Sequence, residues 1–332
     1  MGDVAMTVPV LLALSRSNPK LQITVLTRPF FAPIFSNIPN LKVYTIDVKN
    51  KHKGIPGLYN LSKELKKIHF TAIADLHNVL RTKILKAFLS GNELPFVQID
   101  KGRKEKRNLT AWKTKTIKPL KTTHERYADV FRNLDYRVEL SPNDVLQPIL
   151  PSTSVKKYLA DQPLKTIGIA PFAAFNGKMY PLELMEEVLK NLNNTNQYNI
   201  VLFGGGEKEI KILKKFENTY SHCYNVSGEL LLEEELCLIS NLNIMISMDS
   251  GNGHLSAMFG VPTLTIWGIT HPFAGFAPFR QGEENSILAD REQYPMIPTS
   301  VYGNKFPKGY EKAMFTIDPQ EVVRKIVTLL NN

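Results

Sequence analysis

The sequence contains no run approaching the ~18 consecutive apolar residues that cross a bilayer. No charged segment followed by a short apolar core reads as a secretory leader. The myristoylation pattern is broken as well, because Met6 stands where it needs Ser or Thr. Cysteine is scarce: Cys223 and Cys237 are the only two in 332 residues, and they lack CxxC spacing. Their scarcity argues against a disulfide framework and a thiolate metal centre and leaves two reduced core thiols as the expectation. What is abundant is ordinary for a globular chain, with 43% hydrophobic and 22% charged residues. The length suits two domains of about 150 residues each.

Charge is plentiful but unevenly placed. The formal net charge is +10, and residues 101–126 (KGRKEKRNLTAWKTKTIKPLKTTHER) carry ten Lys and Arg against two Glu, a net +8. Such a concentration suits an anionic partner: a phosphorylated substrate, an anionic membrane surface or nucleic acid. A solvated basic loop is the bland alternative. Only Trp112 interleaves an aromatic among these cations. Base stacking is therefore poorly supported, and nucleic acid is the least favoured partner.

Strand and helix signals alternate along the chain. In the first half, strands are expected at 21–27, 41–47, 70–77 and 94–100. Between them fall helical patterns such as GLYNLSKELKKI, with Leu58, Leu61, Leu65 and Ile68 on one face. HERYADVFRNL reads as a further helix. The Pro- and Ser-rich stretch 141–164 marks a boundary, giving domains 1–150 and 151–332. Strands then recur at 165–171, 198–206, 244–249 and 261–268, each followed by a turn or helix. The final helix starts at Asp318 as N-cap with Pro319 behind it. This alternation predicts an α/β protein of two doubly wound parallel-sheet domains facing a cleft. Ligands of such sheets sit beyond the carboxyl ends of the strands.

The strand-end loops are therefore the candidate sites. DSGNGH (249–254) combines a possible N-cap, Ser250, with Gly251 and Gly253, which admit close approach of a phosphate or diphosphate. His254 can add a donor, and Asp249 suits sugar hydroxyls; a capped turn with a buried Asp is the alternative. FGGGEKE (203–209) fails as a P-loop, and Glu209 breaks the dinucleotide fingerprint after Gly204 and Gly206. Gly204 and Gly205 still allow close approach, and Glu207 or Glu209 could hold a ribose diol. APFAAFNGKMYP (170–181) ends near Lys178, placed to meet a diphosphate or to be a surface lysine. DLHNVLRT (75–82) offers Asp75, His77 and Arg81 near a cleft rim. Near the start, Gly2 suits a tight turn, and Asp3 either caps the helix after it or presents a carboxylate to the cleft.

Taken together, Gly2-Asp3 with TVPVLLAL, DLHNVLRT, GKMYP, FGGGEKE, DSGNGH and IDPQEV resemble glycosyltransferase family 9, the ADP-heptose:lipopolysaccharide heptosyltransferases. The resemblance covers nearly the whole chain. It implies the GT-B architecture of two Rossmann-like domains, with the acceptor on the N-terminal one and the nucleotide-sugar on the C-terminal one. The last helix is then expected to pack back on the N-terminal domain. Asp3 matches the general base, Lys178 the lysine near the donor phosphates and Asp249 a donor-sugar contact. Ser250, Gly251 and His254 match the diphosphate turn, and Glu207 or Glu209 the ribose carboxylate. Where relatives carry Gln, this chain has His77. It also lacks the cysteines that many of them have near GYEKAM. In the family a strand precedes the Gly-Asp turn, whereas only Met1 does here, so a sheet without its first strand is expected.

The expected reaction is inverting sugar transfer without cofactor or metal, on a lipid-linked saccharide at the inner face of the cytoplasmic membrane. Arg103, Lys104 and Arg107 would attract the anionic acceptor. Another nucleotide-sugar donor is the nearest rival. A nicotinamide-dependent oxidoreductase is disfavoured by the broken glycine fingerprint.

Overall fold

The computed structural model describes residues 1–89, 94–159 and 164–331. Ser90, at the end of one expected helix, residues 160–163 of the expected boundary stretch and Asn332 lie outside them. In chain order the helices are α1 (Gly2–Ala5), α2 (Thr7–Ser17), α3 (Gly54–Lys66), α4 (Leu80–Leu89), α5 (Arg103–Leu109), α6 (Thr123–Arg132), α7 (Thr153–Lys156), α8 (Leu182–Asn193), α9 (Glu207–Thr219), α10 (Leu232–Ser240), α11 (Gly251–Ala257) and α12 (Pro319–Leu330). The strands are β1 (Ile23–Thr27), β2 (Leu41–Thr45), β3 (Ile73–Asp75), β4 (Phe96–Gln98), β5 (Lys165–Ala170), β6 (Tyr198–Leu202), β7 (Cys223–Asn225), β8 (Ile244–Met248), β9 (Thr263–Trp267) and β10 (Ser286–Leu288).

The chain divides into two compact units. One holds Met1, Met6–Lys101 and Thr123–Asp144; the other holds Gly2–Ala5, Gly102–Thr122 and Val145–Asn332. The sequence pattern places the division at 150/151, later than the structure does. Val145 onward joins the second unit because Leu146 N–H donates to Met258 O at 2.8 Å and Ile149 N–H to Ser240 Oγ at 3.0 Å. The basic segment joins it too: Leu120 N–H donates to Phe273 O at 2.9 Å.

In the first unit, β1 pairs with β2 in parallel from Ile23↔Leu41 to Thr27↔Thr45, and β3 with β4 from Ile73↔Phe96 to Asp75↔Gln98. The two pairs are separate sheets. Both rest on one helical layer. Leu58, Leu61 and Leu65 of α3 and Leu85 and Leu89 of α4 form its buried core, with Leu26, Tyr44 and Ile73 against it. These leucines sit at helical spacing, which is why α3 forms and which face it buries. Ile68, expected on that face, falls beyond the end of α3 and is exposed. Residues 29–35 form a 3-10 helix, with Pro29 and Pro33 depriving an α-helix of two N–H donors.

The second unit is a six-stranded parallel sheet in the order β10-β9-β8-β5-β6-β7. β6, β8 and β9 are buried along their whole length. Helices cover such a sheet, so its strands read as continuous apolar runs rather than alternating ones. β7 and β10 lie at the edges with three residues each, too short for a periodic signal in the sequence. The chain leaves β5 in one direction, to β6 and β7, and β8 in the other, to β9 and β10. The two carboxyl ends of β5 and β8 therefore flank a topological switch point, where open α/β sheets bind ligands. Asp318 caps α12 by accepting the Gln320 N–H at 2.9 Å, and α12 packs on α8 and β8 within this unit.

Candidate active site

Two loops meet at the switch point. After β5 the chain runs through 171–175 into a single 3-10 turn, Asn176–Lys178. After β8 it passes Asp249 and enters α11. Lys178 and Asp249 close on each other, with Nζ 2.7 Å from Oδ2 and 3.3 Å from the Asp249 carbonyl. The side chains are only 14% and 7% exposed. A cation and a carboxylate taken this far out of water are costly unless paired, so the pair holds both in place. The sequence pattern assigns Asp249 to sugar hydroxyls; here its carboxylate faces the lysine.

Ser250 occupies the N-cap of α11 with extended backbone (φ −144°), but its side chain makes no cap hydrogen bond. The helix thus begins at Gly251 without a side-chain acceptor from Ser250. Gly253 lies tight on the sheet, where a Cβ would stand 2.6 Å from Ser247 Oγ. This contact seats the turn directly on β8.

His254 is buried, and its Nδ1 has no hydrogen-bond partner among the described residues. Burial drives its pKa down to about 4, against the opposing pull of Asp249 and Asp3 and with the help of Lys178. At neutral pH it is an uncharged imidazole with one N–H to donate. Four charges act on it, those of Asp249, Asp3, Lys178 and the N-terminal amine, and α1 packs directly on α11. Gly2 makes that packing possible, because a Cβ there would stand 2.9 Å from His254 Cδ2. Asp3 lies in the first turn of α1 and is exposed to solvent beside this cluster.

The glycine junction after β6 is also resolved. Glu209 Oε2 accepts the Gly205 N–H at 2.8 Å, so this carboxylate folds the turn. Gly206 takes φ +81°, a conformation few other residues adopt. Gly204 is packed against Leu213 and Phe172, while Gly205 and Gly206 have open space where a Cβ would stand. Glu207, at the first position of α9, is exposed.

In the first unit, Asp75 is buried and holds its own strand end. It accepts the N–H groups of His77 and Asn78 at 3.0 and 2.8 Å and Gln98 Nε2 at 2.8 Å. His77 and Arg81 are exposed. Arg103, Lys104 and Arg107 are exposed on α5, a helix the charge pattern did not announce, and this helix belongs to the second unit. Lys106 is instead buried over the Phe276 ring at 3.9 Å.

Three glycines crowd the Lys178 loop; Gly177 lies in the GKMYP motif, whereas Gly268 and Gly303 escape notice in the sequence. A Cβ on Gly268 would stand 2.3 Å from Gly177 O, one on Gly177 2.4 Å from Ile269 Cδ1, and one on Gly303 2.5 Å from Lys178 Cγ. Gly268 directly follows β9, so the strand-end rule could have found it; Gly303 carries no such signal.

Known proteins resemble this chain in sequence and in fold. A family model described as Glycosyltransferase family 9 (heptosyltransferase) matches residues 58–299. Lipooligosaccharide heptosyltransferase 2 of Campylobacter jejuni is 22% identical over 353 residues, covering 100% of this chain and 96% of that protein. Lipopolysaccharide heptosyltransferase 2 of Salmonella typhimurium is 27% identical over 182 residues, 52% of this chain and 48% of that one. Among solved structures, E. coli heptosyltransferase WaaC with ADP has a TM-score of 0.68 at 17% identity, covering 99% of this chain and 97% of the other. At that identity the likeness to the solved structure is one of fold.

Proposed function

The chain belongs to glycosyltransferase family 9, and from that premise we propose that it transfers heptose from ADP-heptose to a lipopolysaccharide-core or related saccharide with inversion. The GT-B fold carries the reaction on two Rossmann-like units. The observation that supports this reading is the convergence of Lys178, Asp249, Asp3 and His254 at the switch point of the second unit.

Each group has a task that its chemistry suits. The donor diphosphate lies against the 249–254 turn, where the glycines admit it and backbone N–H groups face it. Lys178 supplies the positive charge that meets the leaving nucleoside diphosphate. Asp249, already holding Lys178, shares itself between that ammonium and a donor hydroxyl. His254 donates from its neutral imidazole. Glu207 takes the ribose diol, because Glu209 is committed to the Gly205 turn. Asp3 is solvent-facing; it removes the proton from the attacking hydroxyl as the anomeric carbon is approached from the face opposite the diphosphate. Among the described residues no group of three or more His, Cys, Asp or Glu is placed to hold a metal ion. Charge neutralisation in this scheme falls to Lys178 and the backbone.

The acceptor is an anionic, lipid-linked saccharide, drawn by Arg103, Lys104 and Arg107 to the inner face of the cytoplasmic membrane, with the enzyme bound peripherally. Among the described residues no helix is long and apolar enough to cross a membrane. A thermal-shift panel tests the donor. A ligand at 100 times its Kd stabilises by about 2.7 kcal/mol, a shift of several degrees. ADP and ADP-heptose should raise the midpoint, and mass spectrometry should show a heptosyl gain on the acceptor. A shift with UDP-sugars alone would overturn the donor assignment.

A further inference from the structure

Lys178 is placed by more than its partner Asp249. The turn Ser300–Asn304 lies along its aliphatic stem. Gly303, at φ +78°, sits so close that a Cβ would stand 2.5 Å from Lys178 Cγ and 3.1 Å from both Cδ and Cε. The Gly303 carbonyl meets the opposite flank of the same turn, 2.7 Å from where a Gly177 Cβ would be. The stem therefore runs between the Gly303 backbone and its own loop, and leads the ammonium to Asp249.

The turn is itself held. Ser300 Oγ, buried, accepts the N–H groups of Tyr302 and Gly303 at 3.1 Å each and donates to Asn304 Oδ1 at 2.9 Å. Just before it, Thr299 N–H donates to Ile269 O, and Ile269 N–H to Gly177 O, each at 3.0 Å. This ladder joins the 300–304 turn to the lysine loop through the end of β9. From the other side, Trp112 Nε1 donates to Thr299 O at 3.4 Å, and Lys115 Nζ to Pro298 O at 3.0 Å and to Met296 O. Lys115 is half-buried there, and burial lowers its pKa to about 8.

We propose that the Ser300–Asn304 turn, with Gly303 against the side chain, is the positioning element that sets the direction of the Lys178 ammonium toward the donor diphosphate. The proposal rests on the role given to Lys178 above. Gly303 touches no reacting atom; it acts through the lysine. Any side chain there both strains a left-handed backbone and takes the space of the lysine stem.

A double-mutant cycle tests this, with ADP affinity and kcat/KM for transfer as readouts. Gly303→Ala should lower kcat/KM by about 10-fold to 100-fold, the cost of a misplacement of about 1 Å. In a Lys178→Ala background the same substitution should change kcat/KM less than about twofold, because the group it displaces is gone. Ser300→Ala keeps Gly303 and only loosens the turn. It guards against a Gly303→Ala protein that fails to fold, and should show a smaller loss with the same dependence on Lys178. Equal losses in both backgrounds would make the turn merely structural and overturn the proposal. So would unchanged kinetics in Gly303→Ala and Ser300→Ala. An active Lys178→Ala enzyme with full ADP affinity would instead remove the role of the lysine, and this proposal with it.

Discussion

Acidification should strip stability from the second unit through a histidine that never needs to act as a cation. His254 titrates near 6.5 in the unfolded chain and near 4 in the folded one, because burial disfavours its charged form. Between those values the unfolded state binds the extra proton. Stability is therefore complete above pH 6.5 and is lost as pH falls toward 4. At about 1.4 kcal/mol per pH unit, going from pH 7 to pH 5 costs about 2 kcal/mol from this residue. His271, also buried and held near 4 by burial and by Arg291, should cost a similar amount over the same window. Both tryptophans, Trp112 and Trp267, belong to the second unit, so fluorescence excited selectively at tryptophan during denaturant unfolding reports on that unit. Between pH 7 and 5 the wild type should lose about 2 kcal/mol more than His254→Gln, and half-buried Glu235, its pKa raised to about 7, opposes the loss equally in both. Comparing the pH-dependent differences cancels both the intrinsic cost of the substitution and the titration of carboxylates common to the two proteins. Identical pH dependence in wild type and variant would refute the burial argument.

Other perturbations probe the remaining parts of the site. Asp3→Asn should lower kcat by about 100-fold to 10,000-fold while ADP affinity stays within about twofold, measured by initial rates and calorimetry; retained turnover would remove Asp3 from the mechanism. Gly2→Ala improves helix propensity by up to about 1 kcal/mol, yet the new Cβ would press on His254 at 2.9 Å. It should therefore slow transfer by about 10-fold or more and weaken ADP as well, since His254 belongs to the diphosphate turn, and wild-type rates and affinity would show that α1 has room to move. Charge reversal at Lys104 and Arg107 should weaken binding to vesicles containing anionic lipid, by about 1 kcal/mol for each charge lost. The difference should shrink as salt rises, and equal binding at low salt would leave α5 a solvated helix.

The legible parts of this protein were those encoded locally. Leu58, Leu61 and Leu65 announced the buried face of α3, and Asp318 with Pro319 announced the start of α12. The loops after β5, β6 and β8 were found because a strand, then glycines or small residues, then a helix is a pattern within a dozen residues. Edge strands β7 and β10 were not, because three residues offer no period to detect. Glu207 and Glu209 were indistinguishable as neighbours on one helical turn until Glu209 was seen bonded to Gly205. The basic segment was legible as charge. That α5 forms within it, that Lys106 lies over Phe276 and that Lys115 binds backbone carbonyls depends on partners far along the chain.

Sequence alone determined the α/β alternation, the scarcity of reactive thiols, the family and the loops in which to look. The family was legible as a resemblance of motifs; the others follow from periodicity, turn chemistry and composition, which are properties of neighbouring residues. Only the tertiary structure decided which charges meet. The strand order places β8 beside β5, and so brings Asp249 to Lys178. The packing of α1 on α11 brings Asp3 to His254, and a glycine in a left-handed turn near the end of the chain lies along the lysine stem. Such contacts are set by which surfaces bury together, and no local pattern records them.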